Sequence, residues 1–303
     1  MKSFRSLWAI VTALGAGAWI TTFAAIPAAT AAQTNVAVAA NFTDAAKKIA
    51  AAFTKKTGHR AILSFGSTGQ LYTQITQHAP FQVFLSADEE RAKLAVEDGF
   101  AVADSRFTFA IGKIVLWSRN PRLVTGGETL EKPTFRKIAI ANPAAAPYGV
   151  AAIEAMKALN VYETLKPKIV QGNSIAQTYQ FIDTGNAELG FVALAQIVSR
   201  SGGSRWLVPE KLYTPIRQDA VLLKTGEHAD AALAFLAFLK GPEATRIIQS
   251  FGYGTAAERF PARVSPPGQA RTVTRHPSRF QIMQLLRPIE QVAIGLAHLQ
   301  RPR

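Results

Sequence analysis

The chain has 303 residues, of which 48% are hydrophobic and 18% charged, with no cysteine and a formal net charge of +14 at pH 7. That length suffices for two modest domains with their own cores, and the composition is that of a globular protein. Zero cysteine excludes disulfides, thiolate metal ligands, a cysteine nucleophile and a lipidated N-terminal cysteine.

Lys2 and Arg5 precede an apolar stretch over 7–26, then Pro27 and the small run Ala28-Ala29-Thr30-Ala31-Ala32. A positive start, an apolar middle and an Ala-x-Ala end predict a secretory signal peptide over 1–32, cleaved after Ala31 or Ala32. The alternative is a membrane anchor, because about 20 apolar residues span a bilayer; the Gly- and Ala-rich composition favours cleavage. Two of the fourteen net positive charges fall in 1–32 and six in 262–303, which leaves six on the body, 33–261. A basic body suits an anionic ligand or surface, and equally a plain solvated surface. The cations are scattered and form no nucleic-acid motif, so nucleic acid is not an expected partner.

Along the body, short β-rich runs alternate with small-residue turns and helical patterns. Residues 35–40 read as a strand. A helix over 44–56 follows, with Ala46, Ile49, Ala50 and Phe53 on one face, and Thr57-Gly58 stops it. A strand over 60–65, the turn Gly66-Ser67-Thr68-Gly69 and a helix over 70–77 come next. A strand over 83–86, a helix over 89–97 and a longer β-rich run over 111–118 complete the first half. After a Gly- and Pro-containing connector the alternation resumes. Strands are predicted over 137–141, 168–171, 189–193 and 219–223, and helices over 150–159, 175–184, 227–239 and 243–251. The 189–193 strand carries no charge, as a buried parallel strand would.

Strands alternating with helices predict an α/β fold with parallel sheets. Two similar halves suggest two lobes: 33–115 plus 219–256 as the first, and 116–218 as the second. Residues 257–303 read as a basic C-terminal tail, a linker with one short amphipathic helix or a disordered appendage.

No catalytic constellation emerges. His59, His78, His228, His276 and His298 show no metal-ligand spacing and no Ser/Asp partners. Gly66-Ser67-Thr68-Gly69 lacks the lysine of a phosphate loop, and Asp88-Glu89-Glu90 reads as the acidic first turn of a helix. What remains is four strand-to-helix turns: Asn41-Phe42-Thr43, Gly66-Ser67-Thr68-Gly69, Pro147-Tyr148-Gly149 and Ser174-Ile175. In an open α/β sheet such turns lie at the carboxyl ends of strands, where ligands bind. Each opens a helix whose first amides have no internal acceptor, which makes an anion site. A fully ionised oxyanion offers only acceptors to those donors, and about six charge-assisted bonds at roughly 1.5–3 kcal/mol each need no Lys or Arg. The plainer reading of Asn41 and Ser174 is an ordinary helix N-cap.

The turns also carry a resemblance. The matching stretches include Ala39-Ala40-Asn41-Phe42, Ser64-Phe65-Gly66-Ser67-Thr68-Gly69, Val83-Phe84-Leu85-Ser86-Ala87-Asp88, Ala146-Pro147-Tyr148-Gly149 and Gly172-Asn173-Ser174, spread over 35–256. On them the chain resembles the periplasmic molybdate- and tungstate-binding proteins of ABC importers, which have the two-lobed class II solute-receptor fold. The resemblance implies two mostly parallel sheets with a ligand cleft between the lobes, no enzymatic activity and no cofactor. It implies molybdate or tungstate as ligand and a membrane permease as partner, with the receptor a periplasmic monomer. The ligand positions it implies fall on Asn41, Thr68, Tyr148 and Ile175. Asn41 would offer its side-chain donor and amide, Thr68 its hydroxyl and Ile175 its backbone N–H. Tyr148 would take the place of the tyrosine that one subgroup carries at the position of Ala193. Ala40 stands where a hydroxyl residue is expected, which removes one donor. A receptor for sulfate or phosphate is the alternative; a protonated ligand needs an acceptor, for which Asp44 is the residue to check. A sensor domain and an enzyme are more distant alternatives.

Overall fold

The structure, a computed structural model, describes residues 31–132 and 134–255. The expected signal peptide as far as residue 30 and the expected tail lie outside the described residues. The chain runs β1 (Gln33–Ala39), α1 (Thr43–Thr57), β2 (Arg60–Gly66), α2 (Thr68–Thr76), β3 (Val83–Leu85), α3 (Glu89–Glu97), β4 (Phe107–Gly112) and β5 (Ile114–Ser118). It continues with β6 (Ile138–Ala141), α4 (Pro147–Ala158), α5 (Tyr162–Leu165), β7 (Ile169–Gly172), α6 (Ile175–Asp183) and β8 (Leu189–Ala193). The last elements are α7 (Leu194–Ile197), β9 (Ser204–Leu207), β10 (Ile216–Leu222), α8 (Asp230–Leu239) and α9 (Pro242–Ser250).

The strands form two five-stranded sheets, ordered β2-β1-β3-β10-β4 and β7-β6-β8-β5-β9. The two orders are the same pattern. Three strands pair in parallel, and then one strand donated from the far side of the crossover runs antiparallel to both its neighbours. That strand is β10 in the first sheet and β5 in the second. Four of the five strands in each sheet therefore share one direction.

Side-chain alternation explains why helices cover both faces of the first sheet. Val36 and Val38 of β1 point into a cluster with Ile49 and Phe53 of α1 and Phe235 of α8. Ala37, between them, points to the opposite face, with Leu71 and Ile75 of α2. Local signals end the helices as the sequence suggests. Gly58 takes a left-handed φ of 77° and closes α1. Gly241-Pro242 separates α8 from α9, with Pro242 at the first position of α9.

The crossover points differ from those expected. The run over 111–118 is two strands broken at Lys113: β4 belongs to the first sheet and β5 to the second. The first crossing thus falls between Gly112 and Ile114, not after residue 115. The chain returns with β10 at Ile216, not at residue 219. Both errors have one cause: periodicity reports burial and not which sheet a strand joins, and the polar Arg217-Gln218 hid the start of a strand whose Gln218 is wholly buried. The strand β9 and the single-turn helices α5 and α7 went unforeseen, being too short to show a period. The lobes meet where the chain crosses twice, and Lys113 pairs with Glu210 there at 3.7 Å.

Candidate functional site

The carboxyl ends of β1, β2, β6 and β7 bring four turns to one small pocket with about 10 Å³ of interior volume. A bound water needs ~10–15 Å³ measured in the same way, so the pocket admits one small species and not a sugar or nucleotide. Asn41 and Thr68 line it from the first lobe, Tyr148 and Ile175 from the second, with Ser67, Ala40 and the apolar Ala39, Ala87, Ala146 and Pro147 completing the wall. None of the ten lining residues is charged.

Each residue is held by its element. Ser67 caps α2, accepting from Gln70 N–H, while the Gln70 side chain accepts from the Ser67 amide at 3.3 Å. Thr68, the next residue, is 1% exposed. Its Oγ1 accepts from the Ala87 amide at 3.1 Å, so its own proton is left to give. Ser174 caps α6, accepting from Gln177 N–H at 3.2 Å. That places Ile175 first in the helix, where its amide has no intrahelical acceptor. Pro147 starts α4 with no N–H to satisfy, and Tyr148 follows it, 1% exposed.

Asn41 departs from its expected capping role. It caps no helix, since Phe42 is the N-cap of α1 and no side chain bonds there. Its amide nitrogen is turned inward, donating to Gln218 Oε1 at 2.8 Å and to Tyr253 Oη at 3.1 Å. The same nitrogen lies 3.4 Å from Tyr148 Oη, so the side-chain donors of Asn41 are engaged within the protein, and its backbone amide is the donor left for the pocket. Asn41 N–H and Ala40 N–H open a short 3-10 turn, Ala40–Phe42. Ala193 is buried at the end of β8, does not line the pocket and brings no hydroxyl.

The pocket is closed. Gly69 N–H donates to Ala145 C=O at 2.9 Å across the mouth. Beside it Arg91 Nη2 donates to Ala144 C=O at 2.9 Å, while Nη1 pairs with Asp88 at 2.6 Å. Asp88 also accepts from Arg91 N–H as the N-cap of α3, the structural role expected of it. Asp44 lies on the surface, 3.8 Å from Lys47 and with its side chain 64% exposed; it does not line the pocket. Among the described residues no group of three His, Asp or Glu side chains is placed to hold a metal ion.

Burial dominates the electrostatics. The Tyr148 hydroxyl is pushed well above its ordinary pKa by desolvation, with Tyr253 adding to the rise while the bonds from Gln218 and Asn41 oppose it. The Tyr253 hydroxyl is raised the same way. Both stay protonated, and therefore able to donate, at any ordinary pH.

An uncharged, donor-lined pocket closed between two lobes of like topology is receptor architecture. The model of the bacterial extracellular solute-binding protein family matches residues 34–254. The chain belongs to that family. It is 58% identical over 231 residues to the molybdate-binding protein ModA of Rhodobacter capsulatus, covering 76% of this chain and 91% of that protein. It is 51% identical over 253 residues to the molybdate-binding protein ModA of Azotobacter vinelandii, covering 82% of this chain and 98% of that one. The solved periplasmic molybdate-binding protein of Azotobacter vinelandii superposes with a TM-score of 0.71 at 42% identity, over 73% of this chain and 99% of that structure. The two-lobed α/β receptor fold expected from the sequence is therefore the fold of its relatives, which are binding proteins and not enzymes.

Sequence reasoning missed Ser67, Gln218 and Tyr253. Ser67 stood in the expected turn with no role of its own, and it caps and lines at once. Gln218 and Tyr253 are distant in sequence from every turn, and no local signal ties them to the site.

Proposed function

We propose that the protein is a periplasmic receptor that captures molybdate, or the closely similar tungstate, and presents it to the membrane permease of an ABC importer. The observation that carries this reading is a pocket of one ion's size, lined by neutral donors from both lobes, in a chain 58% identical to a molybdate-binding protein. The ligand set is the hydroxyls of Thr68, Ser67 and Tyr148 with the first amides at Ala40, Asn41 and Ile175. Molybdate and tungstate are dianions that carry no proton near neutrality, so they accept hydrogen bonds from every side. No lining carboxylate is needed, and a protonated phosphate would find no carboxylate among the lining residues to take its proton.

Binding works by closure. The open lobes admit the dianion, both sets of donors engage it, and the bonds between Gly69 and Ala145 and between Arg91 and Ala144 hold the mouth shut. The closed form is the one the permease reads. Calorimetric titration of residues 33–303 with molybdate, tungstate, sulfate and phosphate tests this. Binding of molybdate and tungstate at about micromolar or tighter is expected, with sulfate and phosphate far weaker. Silence toward both metal oxyanions would overturn it.

A further inference from the structure

The direction of each hydrogen bond behind the pocket follows from counting protons. Tyr253 Oη lies 2.7 Å from the Asn41 carbonyl oxygen, which only accepts, so the single Tyr253 proton goes there. Toward the Asn41 side chain Tyr253 Oη is then an acceptor, and the atom 3.1 Å away must be the Asn41 amide nitrogen. That nitrogen also donates to Gln218 at 2.8 Å, so the Gln218 atom facing it is the oxygen. The other end of the Gln218 amide is then the NH₂, and it donates to Tyr148 Oη at 3.2 Å. Tyr148 Oη thus accepts from Gln218, and Asn41 Nδ2 lies 3.4 Å from it as well; its own proton is left for the pocket or for Tyr253 Oη, which has given its proton to Asn41 and can only accept.

We propose that Gln218 and Tyr253 are positioning residues that keep the Tyr148 hydroxyl a donor and never an acceptor toward the pocket, so that the site selects oxyanions carrying no proton. Neither lines the pocket; both act through Asn41 and Tyr148. This deepens the oxyanion reading above and rests on it.

The backbone is shaped to the purpose. The β4–β10 ladder slips by one residue between Gln218 and Asp219, with Phe109 the extra residue, and such bulges re-aim side chains. Gln218, with no exposed surface, is directed at Tyr148. Gly112, at the end of β4, leaves the space: a Cβ there would strike Tyr148 Oη and lie 2.8 Å from Gln218 Nε2. The titratable groups facing Tyr148 are Tyr253 and Tyr213, with Asp44 acting on Tyr253 from α1. Inverting the polarity at Gln218 should therefore invert Tyr148.

The test compares Gln218→Glu, Gln218→Leu and Tyr253→Phe with the parent, titrating molybdate from about pH 6 to about pH 9, where the introduced buried carboxyl is expected to ionise. As a carboxylate it accepts the Tyr148 proton and turns that oxygen's lone pairs on the ligand; when protonated it donates as the glutamine does. The parent Kd should be flat. Gln218→Glu should weaken roughly tenfold or more as the pH rises and recover as it falls, and Gln218→Leu should lose affinity equally at all pH values. A Gln218→Glu profile as flat as that of Gln218→Leu, or affinity equal to the parent, overturns the proposal. Should Gln218→Glu fail to fold by circular dichroism, Tyr253→Phe decides. The ratio of its hydrogen-phosphate to molybdate Kd should narrow by roughly tenfold, and an unchanged ratio overturns the proposal. A parent that binds molybdate while the variants behave as the parent sinks only this proposal. A parent that binds no oxyanion sinks the reading it rests on as well.

Discussion

The amide of Gly69 donates to the carbonyl of Ala145 at 2.9 Å, and this backbone bond ties the first lobe to the second at the pocket mouth. A Cβ on Gly69 would lie 3.1 Å from Ala145 Cα and 3.3 Å from its oxygen. That crowding exists only when the lobes are shut. Gly69→Ala should therefore leave the unfolding midpoint of the ligand-free protein unchanged, while raising the molybdate Kd by about fivefold, roughly 1 kcal/mol. Most of the change should be in the release rate. Stopped-flow fluorescence measures it, and a loss of stability without faster release would remove Gly69 from the closure.

Thr68 has two bonds to give up. Its oxygen accepts from Ala87 N–H and its proton is free for the anion. Thr68→Ala should weaken molybdate binding by about 1–3 kcal/mol and also destabilise the fold by a similar amount, because the Ala87 amide is left buried without a partner. Thr68→Ser keeps both bonds and should bind within about threefold of the parent. Equal affinity for Thr68→Ala in calorimetry would take Thr68 out of the ligand set.

Much of the fold was legible because its elements are amphipathic at their own periods. Val36 and Val38 against Ala37 in β1, and Ala46, Ile49 and Phe53 in α1, show which faces are buried before any partner is known. The turns were legible as small-residue breaks between strand and helix patterns, and Ser67, Asp88 and Ser174 cap the helices that follow them. What stayed hidden depends on contacts distant in sequence. Asn41 meets Tyr253 across 212 residues and Gln218 across 177, and no local pattern reveals that its side chain faces the core and not the ligand. The crossover at Lys113 stayed hidden because one lysine in an apolar run is as compatible with a strand edge as with a change of sheet.

Gly112 gives the pocket its tyrosine. With any side chain at 112, Tyr148 Oη and Gln218 Nε2 must move. Both are wholly buried among packed neighbours, so the displacement is not absorbed locally. Gly112→Ala should cost about 1–3 kcal/mol of stability and weaken molybdate binding by roughly tenfold or more. Paired urea unfolding and calorimetry separate the two effects. Unaltered binding would show that the Tyr148 hydroxyl does not touch the ligand.

The two buried tyrosines also set an alkaline limit. In the folded protein burial holds the hydroxyls of Tyr148 and Tyr253 above their ordinary range. Below about pH 10 both are protonated whether the chain is folded or not, and their contribution is fully present. Above that value the unfolded chain loses these protons first, so the unfolded state binds fewer protons and stability falls as the pH rises. The fall continues until the folded hydroxyls themselves ionise. Each group contributes a slope of about 1.4 kcal/mol per pH unit in that window. The Tyr72 hydroxyl, pushed up to about 12 by burial and by Asp98, adds to the slope in every variant alike. Urea unfolding at a series of pH values from about 9 to about 12 should show Tyr253→Phe less stable than the parent at neutral pH but with a shallower decline, by that amount per unit. Parallel declines for the two proteins would mean that the Tyr253 proton is not held by the fold.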